Sequence, residues 1–222
     1  MKGKKQGADT TDTAAITNAT GLPPSPLTPH ASPIDLPFAV GERVLALAVK
    51  VKLLLFDVDG VLTDGRLVIG DDGLEFKAFN SRDGHGIKML QRHGVSVGII
   101  TGRTSQVVKH RVKDLQIRHV YQGCKEKLPV YQKLIKKLKL KPEQTAFVGD
   151  DVVDLPIMLQ VGLAIAVQNA HPLAKHHAHW ITPSIGGYGA AREACEMILH
   201  AHGTYHTEMQ RYLAAGKKPS AG

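Results

Sequence analysis

From residue 51 onward, large apolar residues fall in short runs at 51–56, 95–100, 119–121, 145–148, 163–167 and 180–182. Runs this short and this continuous predict strands buried on both faces. Between them, residues 84–93, 104–115, 126–139, 153–160 and 188–202 repeat apolar positions at helical spacing. Short strands alternating with helices predict right-handed βαβ units. The expected fold is α/β: a Rossmann-like three-layer sandwich with a central parallel sheet. Pro129 and Pro142 fall near the predicted helix ends, where proline is tolerated. One segment breaks the alternation. Residues 66–79 predict two strands around the turn Gly70-Asp71-Asp72-Gly73, a hairpin inserted straight after the first strand. Leu67, Ile69, Leu74 and Phe76 occupy its alternate positions, which suits burial on a partner; packing on its own domain is the competing expectation.

The two ends differ from this middle. Residues 1–45 are rich in Thr, Ala, Pro and Ser, a composition that cannot bury a core and predicts disorder. A short helix over 44–49 leads into a domain spanning 46–203, and the polar residues 204–222 predict a flexible tail. A length of 222 residues suits one such domain. No apolar stretch approaches 18 residues, so no membrane-spanning helix is expected. The basic start Met1-Lys2-Gly3-Lys4-Lys5 lacks a following apolar core and does not predict a secretory signal. Cys124 and Cys195 give no disulfide framework, which points to a reducing cytoplasm. The net charge of +8 raises nucleic acid as a partner. Against that, Lys125, Lys127, Lys133, Lys136, Lys137, Lys139 and Lys141 flank Leu128, Leu134, Ile135 and Leu138 as one solvated helix face, without aromatic stacking residues. A small anionic metabolite explains the charge equally well, and no nucleic-acid partner is expected.

The candidate chemistry gathers at strand ends, where parallel sheets bind ligands. The first strand ends in Asp57 and Asp59, two acids whose spacing puts them on one side of the chain. The second ends in Thr101-Gly102-Arg103, the fourth in Gly149-Asp150-Asp151 with Asp154 a turn later, and Lys127 starts the helix after the third. Asp57, Asp59 and Asp150 in one crevice need a cation, and an all-oxygen donor set favours Mg²⁺. The Thr101 hydroxyl and Lys127 ammonium suit a transferring phosphoryl group. In this arrangement Asp57 attacks phosphorus, and Asp59 protonates the leaving oxygen and then activates water. Each residue alone has a blander explanation, such as a turn, a solvated lysine or a helix cap; all four clusters together at successive strand ends do not. His171, His176, His177 and His179 suggest a zinc site, but no Cys or carboxylate accompanies them, so surface histidines are expected.

These four clusters resemble the motifs of the haloacid dehalogenase-like phosphatase superfamily over residues 51–202. The runs Phe79-Asn80-Ser81-Arg82-Asp83-Gly84-His85-Gly86, Tyr121-Gln122-Gly123, Gly149–Pro156 and Gly186–Glu193 further resemble the 3-deoxy-D-manno-octulosonate 8-phosphate phosphatase family. The N-terminal extension departs from the family pattern. The resemblance implies hydrolysis of that eight-carbon sugar-acid phosphate through an aspartyl-phosphate, a step in lipopolysaccharide precursor synthesis. It implies Mg²⁺ held by the Asp57 carboxylate, the Asp59 main-chain carbonyl and Asp150. It also implies substrate contacts at Asp59, Asn80, Ser81, Arg82, Asp83, Gly84, Arg103, Arg111 and Lys127; arginine suits carboxylate and phosphate alike. Family members lack a large cap domain and associate as homotetramers through the hairpin, and segment 186–189 is a candidate lid or subunit contact. Alternatives are a phosphatase for a nine-carbon sugar-acid phosphate or for many substrates, and a non-catalytic phosphatase-like oligomerisation module. A receiver domain shares an aspartate and a lysine but lacks the second Asp two residues on.

Overall fold

The four residues Leu53–Phe56 form β1, and every one of them is buried. Such a strand has no polar face, so it sits at the centre of a sheet with helices on both sides. In the computed structural model, which describes residues 34–215, that sheet is built from β1, β4 (Ser96–Ile100), β5 (His119–Tyr121), β6 (Thr145–Gly149), β7 (Leu163–Ala166) and β8 (Trp180–Ile181). The order is β5-β4-β1-β6-β7-β8, and every pairing is parallel. Parallel pairing aims all six carboxyl ends the same way, and the order places β1 between β4 and β6. Three of the predicted polar clusters therefore meet at one crevice.

The helices close the sandwich. Helix α2 (Ser81–Arg92) follows the hairpin and α3 (Gln106–Asp114) follows β4; they meet around Phe79, Ile87, Val108 and Leu115. Helix α7 (Ala190–Ala201) packs along α2 and against α1 (Glu42–Ala48). Helices α4 (Lys127–Leu138), α5 (Leu155–Met158) and α6 (Pro172–His177) form the other adjoining group. The α/β sandwich expected from the apolar runs is the observed fold. The hairpin strands are short, β2 (Val68–Ile69) and β3 (Glu75–Phe76), and pair antiparallel. Their turn closes through Gly73 N–H donating to Gly70 O at 2.8 Å, with Gly73 at φ +78°.

Three expectations need correction. The 153–160 helix is a 3₁₀ turn, Val152–Asp154, followed by the short α5, because Asp151 and Asp154 cap the turn reciprocally. Of the predicted disordered stretch, residues 1–33 lie outside the described residues, but Ile34, Leu36, Phe38 and Val40 pack on the core, and α1 already begins at Glu42. The Phe38 ring lies 5.5 Å from that of Trp180. Of the expected flexible tail, residues 216–222 lie outside the described residues, and the rest holds helix α8, Tyr205–Ala215. It turns off α7 at Gly203, buries Tyr205 and Glu208, and bonds Glu208 to Arg92 and His93 of α2 and the α2 C-cap. Beside that ionic anchor, Tyr205 and Met209 pack on the core, a stripe too short to read as a helix.

Candidate active site

The crevice beyond β1, β4 and β6 encloses about 270 Å³ and is lined by Asp57, Asp59, Thr101, Arg103, Lys127, Asp150 and their neighbours. Asp57 directly follows β1, and its N–H donates to Val148 O of β6 at 3.0 Å, which fixes the residue at the carboxyl end of the sheet. Lys127 opens α4, and its side chain is only 3 % exposed. Its ammonium lies 2.9 Å from Asp57 Oδ2 and 2.6 Å from Asp154 Oδ1. The second Asp154 oxygen accepts from the N–H groups of Asp150 (2.9 Å) and Asp151 (3.3 Å). Asp154 thus holds the lysine and the 149–151 loop together. Thr101 is buried at the end of β4; its N–H donates to Tyr121 O and its carbonyl accepts from Cys124 N–H.

Charge is unbalanced here. Oxygens of Asp57, Asp150 and Asp154 lie within 4.8 Å of one another, and one ammonium answers three carboxylates. Burial and the neighbouring Asp154 charge push Asp57 up to about 6, against the pull of Lys127. Burial, then Asp154 and Asp57, push Asp150 up to about 8. Burial alone would lower Lys127, but Asp154 and Asp57 together raise it above its ordinary value. Asp57 Oδ1 and Asp150 Oδ1 are buried without a hydrogen-bond partner. Two free hard oxygens and two surplus negative charges fit a divalent cation such as Mg²⁺. Asp154, with both oxygens occupied, supports this donor set from outside it.

The loop after Asp59 is packed backbone to backbone. Gly60 has φ +90°, and a Cβ there would stand 2.1 Å from Asp150 Oδ2. A Cβ on Gly186 would meet Gly60 O at 1.7 Å. Gly187 N–H donates to Val61 O at 2.9 Å. Residues 186–187 are therefore wedged beneath their own chain's nucleophile loop, where a lid or subunit contact was expected.

A family model for haloacid dehalogenase-like hydrolases matches residues 120–192. The 3-deoxy-D-manno-octulosonate 8-phosphate phosphatase of Yersinia pestis is 47 % identical over 162 residues, 73 % of this chain and 87 % of that protein. The Escherichia coli K12 enzyme of the same name is 46 % identical over 164 residues, 74 % and 87 % of the two chains. This chain belongs to the 3-deoxy-D-manno-octulosonate 8-phosphate phosphatase family. A solved structure of the Moraxella catarrhalis family member, in complex with magnesium, phosphate and KDO, superposes with a TM-score of 0.75 at 37 % identity, covering 76 % of this chain and 97 % of that one.

The substrate contacts implied by the phosphatase family divide into two groups. Asp59, Arg103 and Lys127 line the cleft; Asn80, Ser81, Arg82, Asp83, Gly84 and Arg111 do not. Asn80 caps α2 by accepting from Arg82 N–H at 2.8 Å, while Ser81 and Arg82 face solvent. Asp83 is buried and accepts from Arg192 N–H at 2.9 Å, capping α7, whose own Gly189 cap has no side chain. Burial pushes Asp83 up to about 6 despite those backbone donors. Arg111 donates to Asn80 O at 3.1 Å, pairs with Asp114 at 3.0 Å, and covers the Phe79 ring. A side chain at Gly84 would collide with its guanidinium. The histidines 171, 176, 177 and 179 are exposed, and among the described residues they form no converging metal group.

Two groups went unassigned in the sequence. Asp154 was visible within its motif but without a role. Lys77, on the strand after the hairpin turn, pairs with Asp59 and lies 3.2 Å from Glu75; the only signal was its alternation with Leu74 and Phe76.

Proposed function

We propose that this protein is a Mg²⁺-dependent phosphomonoesterase that hydrolyses 3-deoxy-D-manno-octulosonate 8-phosphate to the free sugar acid and phosphate, as the names of its relatives say of them. The observation that carries this reading is the cluster of Asp57, Lys127, Asp154 and Asp150, with two free buried oxygens, at the open ends of β1 and β6. Asp57 attacks phosphorus and forms an aspartyl-phosphate while Asp59 gives its proton to the leaving sugar oxygen. Asp59 then takes a proton from the water that attacks the phosphoaspartate, releasing phosphate and restoring Asp57. Thr101 and Lys127 donate to the phosphoryl oxygens, and Asp154 keeps the ammonium in place. Mg²⁺ would be held by Asp57, Asp150 and the Asp59 carbonyl, and would supply positive charge against the developing negative charge of the reaction. Arg103 binds the sugar acid.

The exposed Ser81 and Arg82 and the Asn80 cap form part of a mouth completed by a neighbouring subunit; Asp83, Gly84 and Arg111 keep that segment in position. The assembly is a homotetramer seated on the hairpin, whose Leu67, Val68, Ile69, Leu74 and Phe76 are 51–60 % exposed in the single chain. No helix among the described residues is long and apolar enough to cross a membrane, and we assign the protein to the cytoplasm.

Phosphate release from a panel of sugar phosphates, with and without Mg²⁺, tests the assignment. The eight-carbon sugar-acid phosphate has the highest kcat/KM, chelation removes activity and Mg²⁺ restores it. Asp57→Asn lowers kcat by roughly a thousandfold or more. Full activity of that variant rules out the covalent route, and equal rates across the panel rule out the substrate.

A further inference from the structure

The β3 strand turns its charged residues inward and its apolar residues outward. Leu74 and Phe76 are exposed, while Glu75 and Lys77 point at the cleft wall. The Lys77 side chain is 1 % exposed. An ammonium gives up water only where fixed partners replace it, and Lys77 has two: Asp59 Oδ1 and, at 3.2 Å, Glu75 Oε1. Glu75 is itself tied down. The Ser105 hydroxyl, then Lys77 and Arg103, hold its carboxyl below the ordinary range, and Arg103 Nη2 lies 3.2 Å away. The other Asp59 oxygen, Oδ2, has Arg103 Nε at 3.8 Å as its charged neighbour. The second buried ammonium, Lys127, is engaged by Asp57 and Asp154.

We infer that Lys77 is a positioning residue: it anchors Asp59 Oδ1 so that Oδ2 is left facing the cleft to exchange the leaving-group proton. This rests on the reading of Asp59 as the acid in the proposed phosphatase. In the step concerned the P–O bond to the sugar breaks, its electrons stay on the leaving oxygen, and the proton on Asp59 Oδ2 moves to that oxygen. A carboxyl free to rotate about its side-chain bonds meets that oxygen in a fraction of its orientations, and Lys77 removes the freedom. Because the anchor comes from the hairpin, the strand that shows an apolar face to solvent also sets the geometry of proton transfer.

The experiment compares two leaving groups. A sugar alkoxide needs the proton, whereas p-nitrophenolate leaves without one. Lys77→Met and the milder Lys77→Gln should lower kcat on the sugar-acid phosphate by about tenfold or more, with KM changed less than about threefold and p-nitrophenyl phosphate hydrolysis reduced less than about threefold. Lys77→Arg should recover part of the loss. A parallel fall on both substrates, whether from misfolding or from damage to Asp57, overturns the inference, as does full activity of Lys77→Met. Asp59→Asn is the reference. If it shows no leaving-group dependence, the acid assignment itself fails; if it does and the Lys77 variants do not, only the role of Lys77 fails.

Discussion

Asp154 lines no part of the open cleft, yet Lys127 and the backbone of Asp150 and Asp151 all lean on it. Removing one member of a buried ionic cluster strands the others. Asp154→Ala should therefore cost about 3–5 kcal/mol of stability by urea unfolding. It should also weaken Mg²⁺ binding by about 10–100-fold in a direct titration, as loss of a group that orients metal ligands does. A smaller loss in both would mean that Asp57 alone holds the lysine. Residue by residue, the sequence placed Asp57, Asp59, Thr101, Lys127 and Asp150 at strand ends, and the parallel sheet brings them into one cleft. It did not reveal Asp154 as a brace, since a motif gives residue type and not bonding partner. Lys77 was hidden more deeply, because a lysine on a hairpin is ordinarily solvated.

At the scale of elements, legibility followed the kind of contact each makes. Strands such as Leu53–Phe56 showed as apolar runs because both faces are covered. Helix α8 did not show, because an ionic network docks it together with a short apolar pair, Tyr205 and Met209. Burial alone would raise Glu208, but hydrogen bonds from Arg92, His93 and Tyr212 outweigh it and hold the carboxyl down at about 2, below its ordinary 4.5. A folded-state value below the unfolded one stabilises fully above about pH 4.5, and that contribution drains away as pH falls toward 2. Glu208→Gln should lower stability near neutrality by about 1–3 kcal/mol and flatten the acid limb of urea midpoint against pH. An unchanged acid limb would show that α8 is not held by this carboxylate.

For the whole molecule, the decisive feature is the uncovered apolar side of the hairpin. Its inner side carries Glu75 and Lys77, so burying the outer side on other copies would steady the catalytic wall. Val68→Glu with Phe76→Glu, a directly paired couple on one face of the hairpin, should shift sedimentation equilibrium from the proposed tetramer toward monomer and lower turnover, while leaving the unfolding midpoint of the monomer little changed because both residues are solvent-facing there. A variant whose association is unchanged would move the proposed subunit contact elsewhere. Assembly was the least readable level, since alternation along 67–76 marks a two-faced strand without naming what covers either face.

The contact of Gly186 and Gly187 with the Gly60–Thr63 backbone has an evolutionary consequence. Main chain pressed on main chain leaves no side chain to exchange, so the bed under the nucleophile can drift very little by point mutation. Ser81 and Arg82 stand in open solvent and can be replaced one at a time. New specificities in such a scaffold would arise from the rim inward, with the chemistry inherited intact.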